Sequence, residues 1–512
     1  MSRAALAAAG GALLAAAFPG PGVAALAWVA LVPVIILPIT ASRPLRAAGE
    51  GLLFVATFHI LTFSWWYGLL RNFGRLSNPE ASAVYILMAV YVALYGAAFA
   101  AALALIARRR GAGAAIMAAP FLWTALEALR GVAFTGLPWS VLGASQQPWT
   151  AAIQVADIGG VEAVTLVVAC GNALVAWLIL PKAAGLLGVP MARPRGAWAL
   201  ALVPVAALAY GAARMGADWG GDRTVRVGVI QGNVPQDVKW EASARMEILH
   251  DHLDATSDAA GRGAEVVVWP ESSVPLAITS TPAYRLMLEG RAAELGIELI
   301  VGSVHYARGA DRTEVYNSAF LFDGGAPGTE PQRYDKIHLV PFGEYVPLSS
   351  WLGPVERMVE EASDFSPGGV PALFDARGGR LGPFICFEAI FPGLVRRIAA
   401  SGAQVLVNLT NDAMLGDTAG PRQHLALAAL RAVETRRWMV RAANTGISAV
   451  VDPVGRIVAS APYATRAVLV EDVPLLDSVT PYMAWGDLLS WGCGIIAVLL
   501  LVIPSTQGHR RT

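Results

Sequence analysis

The sequence predicts an α/β domain outside the lipid, carried on a base of about eight transmembrane helices. Three observations carry the prediction. Charged residues make up 15% of the chain and hydrophobic residues 55%, with a mean hydropathy of +0.52. An ordinary soluble domain carries about 25% charged residues, so part of this chain belongs in a bilayer. Apolar stretches of spanning length recur through the first 214 residues and once near the end. Between them, strand-type runs alternate with helical ones. At 512 residues the chain exceeds one hydrophobic core, so two or more domains are expected.

The apolar stretches lie at about 4–19, 23–40, 51–70, 83–107, 113–131, 161–181 and 197–214, with an eighth at 485–503. Each approaches the ~20 residues that cross the hydrocarbon core. The first, rich in Ala and Gly, resembles a signal peptide. The turn Pro19-Gly20-Pro21-Gly22 and the immediate second stretch favour a retained helical hairpin instead. Cationic residues set the orientation. With the N-terminus inside, inner loops carry Arg3, Arg43, Arg46, Arg108, Arg109, Arg110, Lys182, Arg193 and Arg195, and the C-terminal tail adds Arg510 and Arg511. The outer loops near 71–82 and 132–160 hold only Arg71 and Arg75, with Arg130 at a span end. The division expected is 1–216 as a seven-span membrane domain, 217–482 as a domain outside the cytoplasm, and 483–512 as a last span with a cytoplasmic tail.

In the outer domain, strand-like runs at 225–231, 265–269, 298–303, 318–322, 381–386, 404–408, 447–451 and 467–470 alternate with helical stretches near 241–259, 281–294, 391–401 and 422–436. The net charge of zero gives no electrostatic case for a nucleic-acid partner. Cys170, Cys386 and Cys493 lack metal-ligand spacing, so no metal is expected. Cys170 and Cys493 fall in apolar runs and read as small buried hydrophobes.

Three pieces near strand ends carry chemistry: Val266-Val267-Val268-Trp269-Pro270-Glu271, Arg333-Tyr334-Asp335-Lys336-Ile337-His338, and Gly382-Pro383-Phe384-Ile385-Cys386-Phe387-Glu388. A carboxylate, an ammonium and a thiol are the parts that activate a nucleophile and stabilise an oxyanion. A thiol at a strand-to-helix turn is expected to feel helix dipoles and cations, which favour the thiolate. Taken singly, a cysteine after a strand is more often structural, and a Glu or Lys at a strand end is usually a solvated tip. Together the three are far less readily accidental.

In that order and at those separations, the pieces resemble the Glu–Lys–Cys triad of the nitrilase superfamily. Further pieces narrow the resemblance: Gln231-Gly232-Asn233-Val234-Pro235 with Lys239-Trp240, Pro341-Phe342-Gly343-Glu344-Tyr345-Val346-Pro347, Asn408-Leu409-Thr410-Asn411-Asp412, Gly420-Pro421-Arg422-Gln423-His424 and Arg441-Ala442-Ala443-Asn444-Thr445-Gly446-Ile447-Ser448. With the spans before and after, nearly the whole chain is similar to the bacterial apolipoprotein N-acyltransferases. The resemblance implies a nitrilase-like αββα sandwich on the membrane base, at the outer, periplasmic face of the bacterial inner membrane. It implies a phospholipid acyl donor, a diacylglyceryl-cysteine apolipoprotein acceptor and no cofactor. Carried over by motif, Cys386 is the nucleophile, Glu271 the general base and acid, and Lys336 the oxyanion stabiliser. Glu344 and Glu388 match supporting acidic positions, with a purely structural salt bridge as the plain alternative for each. Trp240 matches an aromatic near the site entrance, where rim or core packing is equally open.

Two departures bear on substrate. Phe387 stands where the family commonly has Tyr, which removes a hydroxyl. Met414-Leu415 stands where the family often has Trp-Phe, so the apolar wall for the acyl chain keeps its character with another shape. His338 reads as a structural strand residue. The connection between Phe342 and Gly368 carries Leu348, Trp351, Leu352, Val355 and Met358 at helical spacing and reads as a lipid-facing lid, with a short helix on the sandwich as alternative. Within the spans, His59, Glu127, Arg130 and Glu162 are ionisable residues at membrane depth, which tend to face partners or a cavity. Glu127 and Arg130, three apart, are placed to pair on a helix. Trp123, Glu127, Arg130 and Gly136-Leu137-Pro138-Trp139 also resemble the family pattern. Two other readings stand beside acyl transfer. A membrane-tethered nitrilase-type amidohydrolase would use the same thioester with water, and a silent lipid-binding scaffold would not need an intact triad.

Overall fold

Alternation of inward and outward side chains along short strands builds the sheet-bearing half of the molecule. The computed structural model describes residues 2–309, 313–326, 328–345 and 365–503, so the expected lid residues Leu348, Trp351, Leu352, Val355 and Met358 lie outside the described residues. Two compact units form, one from Met1–Arg71, Ser77–Ala217 and Trp485–Thr512, the other from Asn72–Leu76 and Asp218–Ala484.

Among the described residues of the first unit, four helices are long and apolar enough to cross a membrane: Asn78–Arg110, Ala112–Val132, Ala156–Leu186 and Ala197–Met215. The pair Pro44–Thr62 and Ser64–Asn72, bent by 56°, makes a fifth if it is one span. Arg3–Ala16, Ala24–Ile39 and Leu488–Val502 are apolar but shorter. Ser77 and Glu80 form a capping box at the start of Asn78–Arg110, the Glu80 carboxylate accepting from the Ser77 amide at 2.8 Å. Helices Pro44–Thr62 and Asn78–Arg110 touch backbone to backbone at Gly51 and Gly96. A Cβ on Gly51 would stand 2.2 Å from the Gly96 carbonyl oxygen, so only glycine fits this crossing. Glu127 and Arg130 lie one turn apart as expected, yet their hydrogen bonds go to other partners. Glu127 accepts from the Leu142 amide at 3.0 and 3.1 Å and from the Thr165 hydroxyl at 3.0 Å. Arg130 meets His59 Nε2 at 2.7 Å and the Trp139 carbonyl at 3.0 Å.

The second unit is an αββα sandwich. Its first sheet holds β1 (Thr224–Gln231), β2 (Val266–Val268), β3 (Val274–Ala277), β4 (Glu298–Arg308), β5 (Thr313–Asp323), β6 (Gln332–Asp335) and β13 (Ala467–Pro474), in the order β13-β1-β2-β4-β5-β6 with β3 against β4. The second holds β7 (Phe374–Ala376), β8 (Gly379–Ile385), β9 (Val405–Thr410), β10 (Trp438–Ala443), β11 (Ala449–Val451) and β12 (Ile457–Ser460), in the order β12-β11-β10-β9-β8-β7. Both sheets are mixed: β1, β2 and β4 run parallel, as do β8, β9 and β10. Strand periodicity sorts the side chains. Val225, Val227, Val229, Val266, Val268 and Ile300 meet Leu381, Ile385, Val405, Val407, Leu409 and Val440 between the sheets. The alternate residues Val267, Leu299, Val301, Phe320 and Phe322 pack outward on Leu249 and Leu253 of helix Arg245–Gly261 and on Leu288 and Ala292 of helix Pro282–Leu295. Helices Pro392–Ala400 and Ala419–Thr435 cover the other sheet.

Candidate active site

Parallel strands leave a crevice beyond their carboxyl ends, where chains leave neighbouring strands in diverging directions. Glu271 follows β2, Lys336 follows β6 and Cys386 follows β8, so the three expected residues all sit where a strand has ended. Gly302 on β4 lets the first loop come close. A Cβ there would lie 2.4 Å from the Pro270 carbonyl oxygen and 2.8 Å from the Glu271 Cα. Lys336 is pinned through its backbone, its amide donating to the Asn317 carbonyl and its carbonyl accepting from the Gly368 amide, both at 2.8 Å.

The side chains converge on one ammonium. Lys336 Nζ, 1% exposed, donates to Glu344 Oε1 at 2.9 Å and lies 3.4 Å from Glu271 Oε1. Asn317 Nδ2 donates to the same two oxygens, at 2.7 Å to Glu271 and 2.9 Å to Glu344. The other Glu344 oxygen accepts from the Val340 amide at 2.8 Å, which turns the 340–344 loop inward. Burial alone would favour the neutral amine, but the Glu344 and Glu271 carboxylates outweigh it and hold Lys336 charged well above the ordinary lysine range.

The thiol answers differently from the sequence expectation. Burial, and next the Glu271 carboxylate, push Cys386 up to about 12, against the pull of Lys336 and a hydrogen bond with Thr410. A preformed thiolate is therefore corrected to a resting thiol, because desolvation and a facing carboxylate outweigh a lysine already shared by two carboxylates. Cys386 is also a non-glycine residue in the left-handed region, at φ +50°, as are Ser272 at +47° beside Glu271 and Phe342 at +62° near Glu344. Such backbone costs about 1 kcal/mol or more and persists where surrounding contacts over-determine it.

Glu388 joins the Lys336 loop to the Cys386 strand. Its Oε1 accepts from the Ile337 amide at 2.7 Å and the His338 amide at 3.1 Å, and its Oε2 from the Ile385 amide at 2.6 Å. Tyr334 donates to both oxygens at 2.8 Å. Burial pushes this carboxyl up to about 7 despite those donors and Lys336. His338, expected in a strand, lies in the bend after β6 and stacks on Phe391 at 3.6 Å. Phe387 packs edge-on against Phe391 at 5.1 Å, Met414 and Leu415 are half-buried on the turn Asp412–Leu415 after β9, and Trp240 is 46% exposed.

Sequence reasoning assigned no role to several residues found here. Asn317, a polar residue amid the apolar β5, had no motif to mark it. Lys239, beside Trp240 in the quoted pieces, is buried and donates to the Glu271 backbone carbonyl at 3.1 Å. Its burial lowers it to about 8, with Glu271 and Cys386 opposing. Asp412, His424 and Arg441, quoted only as parts of motifs, form a buried cluster behind Cys386. Among the described residues no group of three or more His, Cys, Asp or Glu is placed to hold a metal.

Two family models match the chain. Carbon-nitrogen hydrolase covers residues 226–480, and the apolipoprotein N-acyltransferase N-terminal domain covers residues 10–174. The apolipoprotein N-acyltransferase of Geobacter metallireducens is 36% identical, over 98% of this chain and 95% of its own length. That of Azotobacter vinelandii is 34% identical, over 91% of this chain and 88% of its own. A Nesterenkonia amidase of the nitrilase superfamily is similar at 24% identity and a TM-score of 0.38, covering 52% of this chain and 92% of the amidase.

Proposed function

The chain belongs to the apolipoprotein N-acyltransferase family, and we propose that it carries an acyl group from a phospholipid, through a thioester on Cys386, to the α-amino group of a diacylglyceryl-cysteine lipoprotein. The class of activity, acyl transfer in lipoprotein N-acylation, follows from relatives matched over nearly their full length. The observation that best supports the residue-level course is the single buried ammonium shared by Glu271 and Glu344, in the field of the Cys386 thiol.

In the first half-reaction Glu271 accepts the Sγ proton as Sγ attacks the donor ester carbonyl. The oxyanion forms beside Lys336, whose charge is already in place and needs no reorganisation. The ester C–O bond then breaks, and the departing alkoxide of the lysophospholipid takes the proton from Glu271. In the second half the acceptor amine attacks the thioester carbonyl and Glu271 takes its proton. The C–S bond breaks, and Sγ recovers a proton from Glu271. Glu344 holds Lys336 in position, and Glu388 holds the Lys336 loop against the Cys386 strand. Phe387, Met414 and Leu415 line the path of the acyl chain, and Trp240 flanks the entrance.

The eight-span arrangement belongs to this reading. The three shorter apolar helices cross with the longer ones, both termini lie in the cytoplasm, and residues 217–482 face the periplasm of the inner membrane. The loop cations support that orientation. Labelled phospholipid supplied to purified enzyme in detergent is expected to leave a hydroxylamine-labile acyl group on Cys386 that persists until a lipopeptide amine discharges it. An apolar channel places water poorly, whereas a lipid-anchored amine is held close. Rapid release of free fatty acid without acceptor would replace this reading with the amidohydrolase-type one.

A further inference from the structure

The strained nucleophile is held from behind by a chain of buried polar groups that the proton transfers above do not use. The backbone carbonyl of Cys386 accepts from His424 Nε2 at 3.1 Å. His424 stands on helix Ala419–Thr435 and is 2% exposed, with Nδ1 2.9 Å from Asp412 Oδ1. Asp412, after β9, is 1% exposed and receives the Thr410 hydroxyl at 3.0 Å and Arg441 Nη2 at 2.7 Å. Arg441, on β10 and fully buried, also lies 3.1 Å from His424 Nδ1 and bonds the Asn408 side chain. Arg441 and His424 outweigh the burial of Asp412 and hold its carboxyl below the usual carboxylate range.

Removing ionised groups from water is costly, and a buried cluster is retained only with good geometry and satisfied partners. This one ends on the peptide of the one cysteine placed for catalysis. A residue at φ +50° also needs its peptide plane held by neighbours, because its side chain disfavours that region.

We propose that His424 is a positioning residue for the reaction: backed by Asp412 and Arg441, it clamps the Cys386 carbonyl and so aims Sγ between Glu271 and the acyl donor. The inference rests on Cys386 being the nucleophile. His424 touches neither substrate nor the transferred proton, so its loss lowers the rate of acylation and leaves donor binding in place. A misaimed nucleophile costs on the order of 10²-fold in rate.

Two polar replacements separate aiming from mere support of the fold. In His424→Gln the side-chain NH2 reaches the place of Nε2 and keeps the bond to the Cys386 carbonyl. In His424→Asn the shorter amide reaches only the place of Nδ1 and keeps the bond to Asp412. Single-turnover acylation of Cys386 by labelled phospholipid, followed by intact mass, is measured for both and for the parent enzyme. The expected result is His424→Gln within about tenfold of the parent and His424→Asn about 10²-fold slower, with half-saturating donor concentrations within about twofold of each other. Equal rates for the two variants would overturn the inference, and so would a His424→Asn defect that appears only as weaker donor binding. If His424→Asn does not fold, His424→Gln decides: a loss of 10²-fold or more in a folded protein overturns the inference. A parent enzyme that forms no acyl-Cys386 defeats the nucleophile assignment itself, a separate result.

Discussion

Lys336 has three potential donors and two carboxylates within reach, so its charge is committed before any substrate arrives. Removing one member of such a set removes a different function each time. Cys386→Ser, Glu271→Gln and Lys336→Met are each expected to lower acyl transfer by at least about 10²–10³-fold, with the protein still folded and inserted. Near-normal turnover by any one of them, in purified form, would show that its assigned role is wrong. The raised thiol makes a second expectation. A group held up at about 12 ionises ever more as pH rises, with no levelling near the ~8.5 of a free cysteine. Alkylation of Cys386 by iodoacetamide should climb about tenfold per pH unit from about pH 7 to about pH 10. A plateau near pH 8 would mean a stabilised thiolate, and the general-base role of Glu271 would lose its purpose.

Glu388 acts at the scale of elements, since its two oxygens tie the chain after β6 to the end of β8. Truncation strands the Ile385 amide and the Tyr334 hydroxyl in the interior and the Ile337 and His338 amides half-buried. Each stranded group costs about 1–3 kcal/mol, so Glu388→Ala should destabilise by at least about 3 kcal/mol. Tyr334→Phe removes one donor and leaves the carboxylate its amides, and should cost about 1 kcal/mol. Thermal unfolding in detergent, read by tryptophan fluorescence, gives the order of the two midpoints. A Tyr334→Phe protein melting below Glu388→Ala would refute the account. β10 shows how such contacts override local pattern. Arg441 interrupts the apolar run of Trp438–Ala443, and no strand is expected there from the sequence. The strand forms with Arg441 fully buried because Asp412 and Asn408 wait on the adjoining strand end.

For the whole molecule, orientation across the membrane decides whether the active site meets periplasmic lipoproteins. In a cysteine-free background, Asp222→Cys should react with an impermeant thiol reagent in intact spheroplasts. Ser42→Cys should react only after permeabilisation. Labelling of Ser42→Cys with Asp222→Cys protected would invert the scheme and place the site in the wrong compartment. The expectation rests on the loop cations: translocating Lys and Arg is unfavourable, and Arg43, Arg46, Arg108, Arg109, Arg110, Lys182, Arg193 and Arg195 fall in the loops assigned to the inside, against Arg71 and Arg75 in those assigned to the outside.

Much was legible before any coordinates. Long apolar runs mark membrane helices, and short strand-type runs bounded by Gly and Pro mark β1, β4, β5, β8 and β9, because run length and turn residues are local properties of the chain. The Glu271, Lys336 and Cys386 positions were legible as motifs at strand ends. Only the tertiary structure decided that Asn317 bridges Glu271 and Glu344, that Glu388 serves two loops, that Cys386 rests as a thiol, and that His424 reaches its carbonyl. The reason is distance along the chain. These partners lie 27 residues or more apart, the Glu388–Ile385 contact excepted, and they meet only because strand order brings remote segments to one crevice. A local period says which side chains are buried; the sheet topology says beside whom, and a buried charge takes its proton affinity from that neighbour.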